Sequence, residues 1–230
     1  MELKFSGLSP YVRKVMVVAH EVGVADRLQL TPVKTREEPE KITPVNPLGK
    51  IPALITDSGQ AIYDSPVICE YLDAEFGQRK LLPANGERRW AILTMAALAD
   101  GILDAGLLVR HERARPAERQ SSEWSEWQMR KVNAGLDTLE RQAEGFGDRI
   151  DLGLIGVGCA LGYLPLRLDE AKGLERWPRL KACLADDCQW AFYDLSRNRS
   201  AVWCDMKVCG NRQKVRSYRE RHHRPHALHD

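Results

Sequence analysis

Ile51-Pro52-Ala53-Leu54-Ile55-Thr56-Asp57-Ser58-Gly59-Gln60-Ala61-Ile62-Tyr63-Asp64-Ser65-Pro66 is the stretch on which the fold turns. Two short apolar runs, Ile51–Thr56 and Ala61–Tyr63, flank the turn-forming Asp57-Ser58-Gly59-Gln60, which predicts a β-hairpin. Ser65-Pro66 then opens a helix that runs to about Phe76, with a hydroxyl residue as cap and proline in the first turn. Upstream, Glu2–Phe5 reads as a short strand. Ser9 is an N-cap and Pro10 the first residue of a helix through about His20. Leu28–Pro32 reads as a second strand, and Arg36–Thr43 as a short polar helix or loop. The order is βαβ, a connecting segment, then a hairpin and a helix.

Downstream the character changes. Leu81-Leu82-Pro83 and Asn85-Gly86 form a linker. From Glu87 to about Arg113, apolar residues at Ile92, Met95, Ala96, Ala99, Ile102 and Leu103 recur at helical spacing. Pro116 ends that helix. Ser122 to about Ala143 is another, with Trp124, Trp127, Leu136 and Leu139 available for packing. Leu152–Leu164 is apolar on nearly every side, as a buried central helix must be.

The chain has 230 residues, 43% of them apolar and 29% charged, enough for one large domain or two modest ones around a real core. It has no unbroken apolar run of bilayer length and no basic-then-apolar leader, which points to the cytoplasm and away from a membrane. The formal net charge of +2 conceals a division. Nine basic residues between Arg197 and Arg224 face two acidic ones, an excess of seven, leaving the remainder of the chain at −5. A basic tail on an acidic body is suited to meet a polyanion.

The segments Ser9-Pro10-Tyr11-Val12-Arg13-Lys14-Val15, Asn46-Pro47-Leu48-Gly49-Lys50-Ile51-Pro52 and Asp64-Ser65-Pro66-Val67-Ile68 resemble, in order and spacing, the N-terminal domain of bacterial glutathione transferases. The likeness continues at Ala99-Asp100-Gly101-Ile102-Leu103-Asp104-Ala105-Gly106-Leu107 and at Cys159-Ala160-Leu161-Gly162-Tyr163-Leu164, covering about residues 1–168. It implies an α/β thioredoxin-like domain over about 1–80 and an all-α transferase domain, shortened, over about 86–170. It also implies a glutathione site. Ser65 would receive the γ-glutamyl carboxylate at a helix start, where free N–H groups and the dipole favour an anion. Asp64 would meet the amino group, and Lys50 and a cis Ile51–Pro52 would present backbone to the cysteinyl part. Ser65 remains open to the plainer reading of a helix cap.

Catalysis in such proteins stabilises the glutathione thiolate for attack on an electrophile. Ser9 holds the place of the hydroxyl donor in serine-type members, with Ser6 as competitor and a simple N-cap as the alternative. Arg13 suits a structural role better than a catalytic one. Asp100 and Asp104 lie where some members reach the glutathione amine across a dimer interface, and homodimers are usual in the family. The buried helix of the family normally starts with Ser or Thr and has Asp three residues later. Here the stretch is Asp151-Leu152-Gly153-Leu154, so the cap can survive while its reciprocal partner is lost.

Cys183-x4-Cys188 and Cys204-x4-Cys209 bring four thiolates within a short segment, a set able to enclose one tetrahedral zinc ion. With Cys209-Gly210-Asn211-Arg212, Trp203-Cys204-Asp205-Met206 and Cys188-Gln189-Trp190, the region about 180–220 resembles the CGNR zinc finger of bacterial regulators. The implied zinc-binding module spans about 178–222. A helix after Cys209 would align Arg212, Arg216 and Arg219, with Lys214 beside them, for contact with DNA phosphates. The plainer readings are cytosolic disulfides for the cysteines and a solvated basic tail for the helix. His222, His223, His226 and His229 read as solvated tail residues, and Cys69 and Cys159 as small core residues. Three functions stand open: a glutathione-dependent enzyme with an appended zinc module, a DNA-binding regulator whose transferase-like part senses or dimerises, and a gene fusion without an integrated role.

Overall fold

A computed structural model describes residues 1–147 and 149–168, with side chains to 164; beyond these it describes only 180–182, 191–193 and the single positions 198, 200, 202, 210, 211, 214 and 215. The cysteine calls Cys183, Cys188, Cys204 and Cys209, the arginines Arg212, Arg216 and Arg219, and the histidine-rich tail lie outside the described residues.

The first half is a four-stranded mixed sheet in the order β2-β1-β3-β4. Strand β1 (Glu2–Phe5) pairs in parallel with β2 (Gln29–Pro32) and antiparallel with β3 (Ala53–Ile55), which forms a hairpin with β4 (Ala61–Tyr63). Helix α1 (Pro10–Glu21) connects the parallel pair, and α2 (Ser65–Glu75) follows the hairpin. This is the thioredoxin-like arrangement. Leu3, Val15, Val18, Leu54, Ile68 and Leu72 form its interior. Helix α1 ends where Gly23 adopts φ +76 and the Val24 amide donates to the Ala19 carbonyl at 2.8 Å, a left-handed stop that glycine accepts without a Cβ clash.

Two segments are shorter than the sequence pattern predicts. β3 begins at Ala53, because Pro52 has no N–H to give the ladder. It ends before Thr56, whose hydroxyl accepts from the Gln60 amide at 3.0 Å and so belongs to the turn. The 36–43 segment holds one short 3-10 turn, Pro39–Lys41.

The helical part consists of α3 (Glu87–Arg113), α4 (Ser122–Gln142) and α5 (Leu152–Leu168). Its core joins Ala99, Ile102, Leu103 and Val109 of α3 to Val132, Leu136 and Leu139 of α4 and to Val157, Ala160 and Leu161 of α5. Gly135 and Gly153 permit the close approach: a Cβ at Gly135 would lie 2.6 Å from Ile102, and one at Gly153 would lie 2.8 Å from Met95. By length and composition α3 could cross a bilayer, with mean hydropathy 1.8 over its most apolar stretch. In this fold it is the core helix, with α4 and α5 against it. The two tryptophans of α4 do not pack as the sequence suggests. Trp124 and Trp127 are 39% and 44% exposed and lie against each other, with the Lys131 ammonium 3.6 Å above the Trp127 ring.

Asp151 keeps the cap of α5. It is buried, and its Oδ1 accepts from the Leu154 amide at 3.0 Å. Asp151→Ala should cost about 1 kcal/mol and lower Tm by about 2–4 °C, read by thermal unfolding. An unchanged Tm would mean that solvent satisfies the helix end. Beyond α5, Leu180–Ala182 (β5) pairs antiparallel with Ala191–Tyr193 (β6), and both strands adjoin α5.

Candidate functional site

Sheet register collects the candidate residues at one end of the strands. Lys4 of β1 stands opposite Ala53, and Ala53 stands opposite Tyr63. The next position along each chain is therefore Phe5, Pro52 and Asp64. From Phe5 the chain passes through Ser6 to Ser9 and the head of α1. From Asp64 it enters α2. Two helix N-termini and the open end of β3 thus share one side of the sheet, with Ile51–Pro52 in the cis form between them. Asn46 builds the approach: it is buried, its side-chain amide donates to the Lys50 carbonyl at 2.8 Å, and its Oδ1 accepts from the Leu48 amide at 3.0 Å. Lys50 itself is exposed.

Asp64 adopts φ +70 and ψ 131 although it is not glycine. Such a backbone costs on the order of 1–3 kcal/mol and gathers at functional sites. The residue after it, Ser65, is 0% exposed, and its hydroxyl has no hydrogen-bond partner among the described residues. A buried, unsatisfied hydroxyl is a cost the fold carries without an internal return. It also bears on the cap reading, since no side-chain cap bond forms at this helix start. Asp64, Pro66 and Val67 around it are exposed.

Ser9 does cap its helix. Its Oγ accepts from the Val12 amide at 3.3 Å, and its own amide donates to the Ser6 carbonyl at 3.1 Å. Accepting one bond leaves the hydroxyl hydrogen free to donate elsewhere, so capping and thiolate stabilisation are compatible at this residue.

Two tertiary pairs tie the site to the helical domain, and no local sequence signal announces them. The Lys14 ammonium, 3% exposed, donates to both oxygens of Asp100 at 2.6 and 2.8 Å. Burial pushes the Asp100 carboxyl above its ordinary range against the pull of Lys14. The Tyr11 hydroxyl donates to Asp104, and burial followed by that carboxylate pushes the phenol well above its usual range. The two aspartates singled out for a cross-dimer contact are thus engaged within their own chain. Burial, and after it the positive charges of Arg36 and Arg110, hold the His111 imidazole below its ordinary range. Cys69 and Cys159 flank the interface as core thiols, each pushed up to about 12 by burial. Arg13, whose charge is felt by Cys159, faces the same interface.

In the C-terminal region, Lys214 is exposed and helical in backbone. Among the described residues no group of histidines, cysteines or carboxylates is arranged for a metal.

Comparison with known proteins agrees with this fold. Residues 8–75 match the glutathione S-transferase N-terminal domain family, and residues 179–222 match the CGNR zinc finger family. The chain is 36% identical over 170 residues to YibF, an uncharacterised GST-like protein of Escherichia coli (strain K12), covering 73% of this chain and 83% of that one. A glutathione transferase family member from Pseudomonas fluorescens Pf-5, solved with bound glutathione, superimposes with TM-score 0.73 at 42% identity, covering 77% and 88% of the two chains. A glutathione S-transferase of Methylobacillus flagellatus KT, also with glutathione bound, gives TM-score 0.69 at 38% identity over 77% and 89%.

Proposed function

Because the chain belongs to the glutathione S-transferase family, we propose that it binds glutathione at the loop leading into β3 and the head of α2, and activates the thiol for attack on an electrophile. The buried, unpartnered Ser65 hydroxyl is the observation that carries this reading. The γ-glutamyl carboxylate accepts from that hydroxyl and from the free N–H groups of the first turn of α2, where the helix dipole also favours an anion. Its approach parts the exposed side chains beside Ser65. Asp64, exposed and strained in backbone beside Ser65, takes the amino group. Lys50, Ile51 and Pro52 offer the loop that Asn46 holds, as an extended edge for the cysteinyl part. Ser9 donates to the thiolate, the thiol proton passes to solvent, and the sulfur bonds to the electrophilic carbon as the leaving group departs with its bonding electron pair.

Ser65→Ala separates this role from a structural one. Alanine removes an unsatisfied buried group, so stability should hold or rise, while glutathione affinity falls by about tenfold or more for the lost charge-assisted bond. Isothermal calorimetry and thermal unfolding read the two effects. Parental affinity in the variant, or no glutathione binding by the parent, would sink the proposal.

For the C-terminal region we propose one zinc ion held by Cys183, Cys188, Cys204 and Cys209. Four thiolates are a fitting donor set for a closed structural zinc site. The β5–β6 pairing supports the arrangement, since Cys183 and Cys188 both fall in sequence between its paired ends. Elemental analysis should return one zinc per chain, lost on Cys204→Ser. The regulator reading rests on the CGNR match and on the charge of Arg212, Lys214, Arg216 and Arg219. Under it, log affinity for duplex DNA falls by roughly 0.9 per log unit of salt for each phosphate neutralised, and a flat response rejects it. A cytoplasmic homodimer completes the proposal, with sedimentation as its check.

A further inference from the structure

Towards its C-terminal end, α5 is buried on every side. Residues 159–164 are all buried, and successive helical positions turn by about 100°, so this stretch faces in all directions. One direction belongs to α3: a Cβ at Gly153 would lie 2.8 Å from Met95, and one at Gly156 would lie 3.2 Å from Ala99. On the side turned away from these glycines, Leu154 and Gly158 are partly exposed. Leu161 and Gly162 flank that same direction further along the helix, and both are buried. Cover therefore reaches the outer side of α5 only in its later turns. The described elements in extended contact with α5 are α1, α3 and the two strands of the C-terminal hairpin, β5 and β6.

The same part of α5 backs the candidate site. Leu161, Tyr163 and Leu164 belong to the core cluster against which Tyr11 packs, and Tyr11 follows Ser9 at the head of α1. In the other direction the hairpin leads to the cysteines. Ala182 of β5 is paired with Ala191 of β6, and Cys183 and Cys188 lie in sequence between them. Four thiolates fit a closed zinc site by their donor chemistry. A metal held by ligands that only the folded chain gathers contributes its binding energy to folding. Resting on the zinc and glutathione readings above, we propose that the C-terminal module is the closing piece of the helical core, docked on α5 through β5 and β6, so that zinc occupancy sets glutathione affinity. The module is then a metal-dependent brace and not a tethered finger. With zinc, the hairpin covers α5 and holds it against α1. Without zinc, that apolar side opens to water, which is unfavourable, and the support behind the head of α1 loosens.

The test is hydrogen exchange and glutathione calorimetry on the full chain: zinc-loaded, stripped by a chelator, and with zinc returned. Stripping should speed amide exchange over residues 157–164 by about tenfold or more, since local opening of α5 becomes easier. It should also weaken glutathione binding by about fivefold or more, the lower end of ordinary coupling between two sites. Both effects should reverse when zinc is returned. Should the stripped chain unfold altogether, the reciprocal measurement decides: saturating glutathione must raise zinc affinity, and an unchanged zinc affinity overturns the proposal. An α5 equally protected with and without zinc also overturns it, as does a glutathione Kd indifferent to the metal. In either of those cases one zinc per chain and measurable glutathione binding leave both underlying readings standing. A parent chain without zinc on elemental analysis overturns the zinc reading and the coupling together. A chain that binds zinc but no glutathione in any form overturns the glutathione reading and the coupling together.

Discussion

Ser9→Ala should lower kcat/KM for a model electrophile by about a hundredfold, the usual consequence of deleting one donor to a developing or resident anion. The substitution acts twice, because the same oxygen accepts the Val12 amide at the head of α1. Losing the cap costs about 1 kcal/mol and about 2–4 °C in Tm. Ser9→Asp separates the two effects. An aspartate caps as well as serine does, so Tm should be retained. An ionised carboxylate has no hydrogen to donate and repels a thiolate, so activity should fall at least as far as in the alanine variant. Ser9→Thr keeps both functions. The direct readout is ultraviolet titration of bound glutathione: its thiol pKa should return toward the free value in Ser9→Ala. Should Ser9→Ala remain active while Ser6→Ala loses activity, the donor is Ser6.

Lys14→Met should destabilise the protein by about 3 kcal/mol. Methionine fills the space of the lysine stem but leaves the Asp100 charge, now without a partner, at a domain interface. About a fifth of the Asp100 side chain is exposed, which keeps the expectation at the lower end of the range for broken buried pairs. The pH dependence has a definite sign. With Lys14 present, burial already raises the Asp100 carboxyl above its ordinary value, and removing Lys14 raises it further. A carboxyl with a raised folded pKa contributes stability below its unfolded pKa, and that contribution is lost as pH rises through the folded value. The variant should therefore recover stability relative to the parent as pH falls from 7 toward the ordinary carboxylate range. Denaturant midpoints at several pH values test this. A variant as stable as the parent at pH 7 means that Asp100 is solvated in spite of the pair. Lys14→Met combined with Asp100→Leu should regain much of the loss.

These two residues differ in how far their sequence neighbourhood reveals them. Ser9 is legible because capping is local: a hydroxyl before a proline and an apolar helical pattern marks the start of α1 with no knowledge of the rest of the chain. The extent of α3 is equally local, being a long 3.6-residue pattern between Gly86 and Pro116. Lys14 is different. Nothing near it says that a lysine in the middle of α1 will be 3% exposed, since the carboxylate that makes this tolerable is 86 positions away. Tyr11 with Asp104 is hidden for the same reason. Asn46 was visible as part of a motif, but its work, bonding the Lys50 carbonyl and the Leu48 amide, depends on a loop shape that composition does not specify. Trp124 and Trp127 mislead in the opposite direction. Large aromatics at helical spacing suggest core, yet here they meet each other at a tilt and stay 39% and 44% exposed.

The two-sided use of α3 has a consequence for how this protein can vary in descent. One side of the helix interlocks with α4 and α5, and the other delivers Asp100 and Asp104 to α1. Adding or deleting a single residue within it rotates everything beyond by about 100°. A change between Asp104 and Val109 would turn Val109 out of the core that α3 shares with α4 and α5. Substitutions along α3 can be absorbed one at a time, whereas length changes cannot, so its residue count is under stricter constraint than most of its residue identities.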